Sequence, residues 1–162
     1  FYKTFPQNEQ ADEAAYLTAY CYYLEAPKHS LDQAYTFKAI NEIQLYINTH
    51  PKSDKLEDCN SYMEELRSKL ELKSYEIAYQ YFKTRQYKAA MTAFTTTVSE
   101  YPDTPYREDA LYYKTLAAFK LANNSLASLQ DERFTEAKTA LNDFEEAFPN
   151  SERIEDLRKL IH

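Results

Sequence analysis

Four prolines divide this chain into copies of one phrase. Pro6, Pro51, Pro102 and Pro149 stand 45, 51 and 47 residues apart, in the contexts FPQN, HPKS, YPDT and FPNS. A period of this size marks stacked supersecondary units, each burying its apolar face against its neighbours. The register holds on both sides of the proline. Six and seven residues after it stand Asp12 and Glu13, Glu57 and Asp58, Glu108 and Asp109, and Glu155 and Asp156. Twelve residues before the last three prolines stand Ala39, Ala90 and Ala137, and eight before stand Ile43, Phe94 and Leu141. A small and a large residue at i and i+4 share one helix face.

Each phrase reads as the end of one helix and the start of the next. Proline does not continue the helix it follows, and the Asn, Ser or Thr two residues later is a suitable cap for the next. In the third copy Thr104 takes the cap and Pro105 the first helical position, where a missing N–H costs nothing. The acidic pairs then fall near helix starts, where each charge gains about 0.3 to 1 kcal/mol from the macrodipole. They are read as structural, since a general acid–base pair needs one site rather than four copies. These signals predict helices at 8–25, 31–49, 53–84, 87–100, 104–121, 131–147 and 151–161, with breaks at 25–30 and 121–131. The third is about 45 Å long. It carries Cys59, Met63, Leu66 and Leu70 on one stripe and Tyr75, Ala78, Tyr79 and Phe82 on another, so its buried face rotates and it is able to bridge two hairpins. The expected architecture is all-α: an α-solenoid of TPR-like antiparallel helix hairpins, about seven helices and no sheet. It is read as one domain over 1–162, with approximate repeats 6–50, 51–101, 102–148 and a partial 149–162.

Composition removes several function classes. The chain has no glycine, so turns needing positive φ are expected to be rare or built by Asn and Asp. No phosphate-cradling loop, dinucleotide fingerprint or nucleophile elbow can be written without glycine. The net charge is −7, and the 19 Lys and Arg are scattered, which leaves no electrostatic footprint for nucleic acid. Acidic lipid headgroups are equally poor partners. Cys21 and Cys59 lack the CxxC spacing of a metal or redox site and are expected to be buried and inert, with a bridge left open should their Cα atoms fall within about 7 Å. His29, His50 and His162 share no ligand spacing, so no metal, cofactor or catalytic site is expected. No apolar run approaches the roughly 20 residues of a membrane span. The chain opens at Phe1 with no charged-then-apolar leader, so a processed start is expected, with any targeting segment before it.

Sixteen tyrosines remain to be explained. On the first helix Tyr16, Tyr20 and Tyr23 follow i, i+4, i+7 and form a ridge, with Tyr22 pointing elsewhere. Such a ridge is either core with its hydroxyls at the edge or the wall of a peptide groove, because a phenol buries its ring while keeping a wet tip.

The stretch from Tyr75 to Leu121, with EIAYQYFKTRQYKAAMTAF and then EYPDTPYREDALYY, resembles the BamD family of outer-membrane assembly lipoproteins. In that family a segment of the type IAxxYxxxGxYxAAxxxF precedes a YPDTP-type turn and an EALYY-type helix. Here those places are held by Ile77, Ala78, Tyr81, Tyr87, Ala89, Ala90, Phe94, Tyr101 to Pro105, and Asp109 to Tyr113. HPKSDKLEDC and FPQN with EAAYLTAYCYY extend the likeness more weakly over the whole chain. Two departures stand out: Gln86 where the family usually has a hairpin glycine, so that the turn at Arg85 and Gln86 must be built differently, and His50 for tyrosine.

The resemblance implies a periplasmic TPR scaffold, tethered to the outer membrane by an N-terminal lipid, in the complex that folds and inserts β-barrel proteins. It implies no enzyme activity and no catalytic residues to carry over. The lipidated cysteine and a first hairpin are expected before Phe1, so neither Cys21 nor Cys59 is the anchor. The implied partners are unfolded outer-membrane protein segments at the N-terminal hairpins and the barrel-carrying assembly protein at the C-terminal ones. For the first surface the candidates are Tyr16, Tyr20 and Tyr23, whose rings suit the aromatic residues that commonly end barrel chains. For the second they are Arg107, Lys114 and Lys120, cations on an acidic protein set to meet carboxylates, against the reading that they form a solvated helix face. The alternatives are a periplasmic TPR adaptor of the Tol-Pal or cell-wall type and a general or intracellular TPR interaction module. An enzyme with helical accessory repeats would need a catalytic domain outside this chain.

Overall fold

The computed structural model describes residues 10–161, so the phrase at Pro6 and the predicted helix start at residue 8 lie outside the described residues. Seven α-helices follow in order: α1 (Ala11–Glu25), α2 (Ala34–Thr49), α3 (Leu56–Lys83), α4 (Tyr87–Glu100), α5 (Arg107–Asn123), α6 (Ala127–Ala147) and α7 (Ile154–Arg158), the last running into a 3-10 turn at Lys159–Ile161. No strand occurs among the described residues, and the fold is all-α with TPR-like hairpins, as expected. Contacts divide the chain into two compact units, Phe1–Leu70 and Glu71–His162, with the division inside α3.

The proline phrase makes the same turn in each of its three described copies. The N–H of the residue before proline closes the preceding helix, His50 onto Tyr46 O, Tyr101 onto Thr97 O and Phe148 onto Phe144 O, at 2.9 to 3.0 Å. The carbonyl of that same residue accepts from Ser53, Thr104 or Ser151 at 3.0 to 3.1 Å. The hydroxyl of Ser53, Thr104 or Ser151 then accepts the N–H two residues on, from Lys55, Tyr106 or Arg153, at 3.1 to 3.4 Å. Proline has no N–H to lose, and the hydroxyl satisfies a donor that the helix start would otherwise leave open. The four acidic pairs sit in the first turns of α1, α3, α5 and α7.

In the first unit the core is Ala15 and Ala19 of α1, Ala39, Ile43 and Tyr46 of α2, and Cys59 and Leu66 of α3. In the second unit α5 is buried on two sides. Ala110 and Ala117 pack with Ala78 of α3 and Ala90 and Phe94 of α4. Ala118 and Phe119 pack with Ala137, Leu141 and Phe144 of α6 and Leu157 of α7. Ala39, Ala90 and Ala137 are all 0% exposed, which places the small residue of each repeat where helices meet.

Several boundaries differ from expectation, each for a local reason. α2 starts at Ala34 rather than 31 because buried Gln33 spans the carbonyls of Lys28, His29 and Leu31 with its side-chain amide, which fixes the loop before it. α5 starts at Arg107 because Thr104, Pro105 and Tyr106 are spent on the turn. α6 starts at Ala127, not 131: the polarity of Ser128, Asp131 and Glu132 belongs to an exposed helix face rather than to a loop. The last helix opens at Ile154 after the Ser151 turn. Cys59 is buried as expected, and burial raises its thiol pKa. Cys21 is exposed, because it lies across α1 from the Ala11, Ala15 and Ala19 stripe. Both thiols are free.

The turn after α3 shows how a chain without glycine reverses direction. Arg85 takes φ 62°, the one positive φ among the described residues, where Asn or Asp was expected. Gln86 N–H reaches back to Tyr81 O at 2.9 Å and Arg85 N–H to Phe82 O at 3.0 Å, the paired bonds of a Schellman cap. Counted from Ile77, the glycine place of the family pattern falls on Arg85 and not on Gln86 as expected, so the left-handed residue stands where the family has glycine.

Two stability outcomes follow from this packing. Ala90→Leu should overpack the α3, α4 and α5 junction by about 1 to 3 kcal/mol and lower the melting temperature. Arg85→Gly should stabilise by about 0.5 to 1 kcal/mol, since left-handed geometry costs a residue with a Cβ about 1 to 2 kcal/mol and the added chain entropy of glycine returns only part of it. Urea denaturation of the two variants checks both signs.

Candidate protein-binding surface

The i, i+4, i+7 spacing on α1 produces a row of rings. Tyr16 and Tyr20 lie parallel, with centroids 6.2 Å apart and planes at 9°, and Tyr20 and Tyr23 follow at 6.0 Å and 26°. Tyr62 of α3 fits across the row, 5.6 Å from Tyr20 and 4.2 Å from Tyr23. The Tyr16 and Tyr62 hydroxyls are 3.4 Å apart, and Tyr23 donates to Glu65 Oε2 at 2.5 Å. Behind the row, buried Tyr46 sets its ring 5.8 Å from Tyr16, donates to Asp12 Oδ1 at 2.9 Å and meets Ser53 Oγ at 2.7 Å. Tyr16, Tyr20, Tyr23 and Tyr62 are each half-buried. One side of the row is thus packed, and the other keeps ring surface open.

Hydrogen bonding and burial hold the phenols of Tyr16, Tyr23 and Tyr46 protonated. Tyr23 is pushed up to about 12, first by its bond to Glu65 and then by burial. Tyr46 is pushed up to about 12, chiefly by burial. Tyr16 is raised by the Tyr62 hydroxyl and by burial. Glu65 is lowered by the Tyr23 hydroxyl and by Lys69, whose Nζ lies 3.3 Å away. Lys55 and Lys69 each stand 5.9 Å from a ring centroid, of Tyr16 and Tyr23 respectively. Stacked rings, neutral hydroxyls and flanking ammonium groups suit non-covalent recognition of a peptide bearing aromatic side chains.

The second unit repeats the device. Tyr75, Tyr79 and Phe82 follow the same i, i+4, i+7 spacing on α3, and Tyr113 of α5 stands 4.8 Å from Tyr79 and 5.1 Å from Phe82. Tyr106 stacks on Tyr75 at 5.0 Å. The sequence reading found both rows but not the rings that close them. The signal was present, since Tyr62 and Tyr113 each stand eleven residues after their proline.

The acidic pairs also do more than sit at helix starts. Asp12 Oδ1, besides accepting from Tyr46, lies 3.5 Å from His50 Nε2. Glu108 accepts from Ser151 Oγ at 2.6 Å, and Asp109 pairs with Arg153, whose guanidinium lies 4.9 Å over the Tyr112 ring. Asp12 in the first unit, and Glu108 with Asp109 in the second, clasp the next proline turn.

The three candidate cations are not gathered into one patch. Arg107 is half-buried and donates to Pro102 O at 3.2 Å, so it serves its own turn. At 100° per residue, Lys114 falls on the stripe of Arg107, whereas Lys120 lies about 120° around the helix. Lys114 is half-buried and Lys120 exposed.

The sequence model of the YfiO family, described as outer membrane lipoprotein, matches residues 1–128. The chain belongs to the YfiO family of outer membrane lipoproteins. Among curated relatives, the outer membrane protein assembly factor BamD of Caulobacter vibrioides (strain ATCC 19089 / CIP 103742 / CB 15) is 26% identical over 112 residues. That alignment takes in 69% of this chain and 37% of the relative. The ring rows, the YPDT turn and the start of α6 all fall inside the YfiO match, and α7 with the Ser151 turn falls outside it. Among the described residues no helix is long and apolar enough to cross a membrane.

The raised phenols give a pH signature. A group whose pKa is higher folded than unfolded contributes stability below the unfolded value, and that contribution is lost as pH rises through the folded value. Stability should therefore fall as pH rises from about 10, the ordinary tyrosine value, through about 12, where Tyr23 and Tyr46 ionise. Urea midpoints taken stepwise over that window should drop, and drop less steeply in Tyr23→Phe.

Proposed function

We propose that this chain is a non-catalytic scaffold on the periplasmic face of the outer membrane, serving the assembly of β-barrel proteins. The observation that carries the reading is the YfiO family match over residues 1–128, joined to a curated relative named as an outer membrane protein assembly factor. The surface is of a kind that suits it. The row of Tyr16, Tyr20 and Tyr23, closed by Tyr62, presents ring surface to the aromatic residues of an unfolded barrel segment. Lys114 and Lys120 of α5 present cations to the carboxylates of the barrel-carrying assembly protein, as two separate contacts rather than one patch. Isolated surface charges contribute at most about 1 kcal/mol each, so these two govern encounter and register more than affinity.

The test is capture by the purified full-length protein from its own envelope. The barrel-carrying assembly component should be retained, and charge reversal at Lys114 and Lys120 should weaken that retention with no fall in melting temperature. Retention of Tol-Pal or cell-wall proteins in its place would overturn the assembly reading in favour of the periplasmic adaptor.

A further inference from the structure

Arg85 holds a left-handed backbone that glycine would adopt at less cost, and its side chain does nothing for the fold in return. That side chain is exposed and makes no hydrogen bond or ion pair among the described residues. A strained residue whose side chain has no work inside the fold points to work outside it. The surroundings give that work a sign. Residues 77–99 and 110–130 are the two longest stretches of the chain without Asp or Glu, although across the chain one residue in about six is acidic. The helices they run through, α4 and α5, pack together through Ala90, Phe94, Ala110 and Ala117. Where α3 turns into α4, Lys83, Arg85 and Lys88 fall within six residues, and all three are exposed. None of them pairs with a carboxylate among the described residues, whereas Arg153, Arg158 and Lys159 of the same unit each do. Lys83 keeps its ammonium 5.3 Å from the Tyr79 ring, and the residues between the cations, Thr84 and Gln86, are exposed and uncharged. On a chain of net charge −7, this end of the hairpin is basic.

We propose that the α3–α4 turn binds an acidic segment of another protein. Charge complementarity chooses this occupant, since three unpaired cations attract carboxylates and steer their approach. The planar guanidinium of Arg85 takes a carboxylate through two parallel N–H bonds, and the ammonium groups of Lys83 and Lys88 act as point charges on either side. The three cations stand at the end of one helix, in the turn and at the start of the next, so one small anion does not engage them all. A chain carrying several carboxylates does. An anionic lipid surface fits less well. Lys88 shares the rim of a groove of about 320 Å³ with Glu132 and Glu136 of α6, both exposed, and a flat sheet of phosphates that reached Lys88 would also meet those two carboxylates. A narrow polypeptide keeps to the Lys83 and Arg85 side of Lys88 and avoids them. Two copies of this chain, each of net charge −7, repel one another overall.

This surface does not rest on the assembly reading, and failure to retain the barrel-carrying component leaves it untouched. The experiment places a photoreactive benzoylphenylalanine at one position at a time in the full-length protein in its native envelope. It replaces Thr84 or Gln86 beside the cations, or Thr95 or Ser99, which are exposed farther along α4 with no cation next to them. Adducts from positions 84 and 86 should exceed those from 95 and 99 several-fold and map to a segment of another protein rich in Asp and Glu. In the chain probed at 84, Arg85→Gly should lower the yield several-fold although the melting temperature rises, which separates the side chain's use from the fold. Lys83→Gln together with Lys88→Gln should lower it likewise with the melting temperature held. Four outcomes would each overturn the proposal: no excess over positions 95 and 99, equal yields from Arg85→Gly and the parent chain, adducts to lipid or to a second copy, or adducts to a segment without clustered carboxylates.

Discussion

The hydroxyl two residues after Pro51, Pro102 and Pro149 carries the architecture. Ser53, Thr104 and Ser151 each donate backbone N–H to the helix just ended and accept N–H from the helix about to begin, so one residue fixes both the exit of one helix and the entry of the next. The acidic pairs make this turn a tertiary feature. Asp12 reaches the network of Tyr46, His50 and Ser53, and Glu108 and Asp109 reach Ser151 and Arg153. The passage from each hairpin to the next helix depends on turns set this way.

Within that frame, small residues decide where helices approach. Ala39, Ala90 and Ala137 are fully buried, and α5 inserts between α4 and α6 because Ala110 and Ala117 face one way and Ala118 the other. The large partners Ile43, Phe94 and Leu141 fill what the alanines leave open. This division between a small and a large residue four apart is a helix-face rule, and it reads directly from sequence.

The elements and their face pattern were legible because the proline repeat supplies an internal comparison for every position. The misplaced starts of α2 and α6 were not, because they depend on bonds that composition does not show: the Gln33 amide spanning three carbonyls, and a polar segment that is an exposed helix flank rather than a loop. Arg85 in the left-handed region was hidden for another reason: residue preference points away from it, although the glycine place of the family pattern, counted from Ile77, falls on it. On the ring surface the sequence marked Tyr16, Tyr20 and Tyr23. It did not show that Tyr62 closes the row from another helix, although the shared eleven-residue offset of Tyr62 and Tyr113 carried that information. The cations of α5 illustrate the limit of reading charge without angle: Lys120 points away from the stripe that Arg107 and Lys114 share.

Tyr20 is the middle ring of the α1 row and makes no hydrogen bond through its hydroxyl among the described residues, so its removal tests the surface with little cost to the fold. The most direct measurement of the account is a titration of the full-length protein with a synthetic peptide of the last strand of an outer-membrane β-barrel, ending in phenylalanine. The account predicts saturable binding that is weakened in Tyr20→Ala with helicity unchanged, and weakened again when the terminal phenylalanine of the peptide is replaced by aspartate. Absence of binding, or equal binding by Tyr20→Ala and the parent chain, would contradict it.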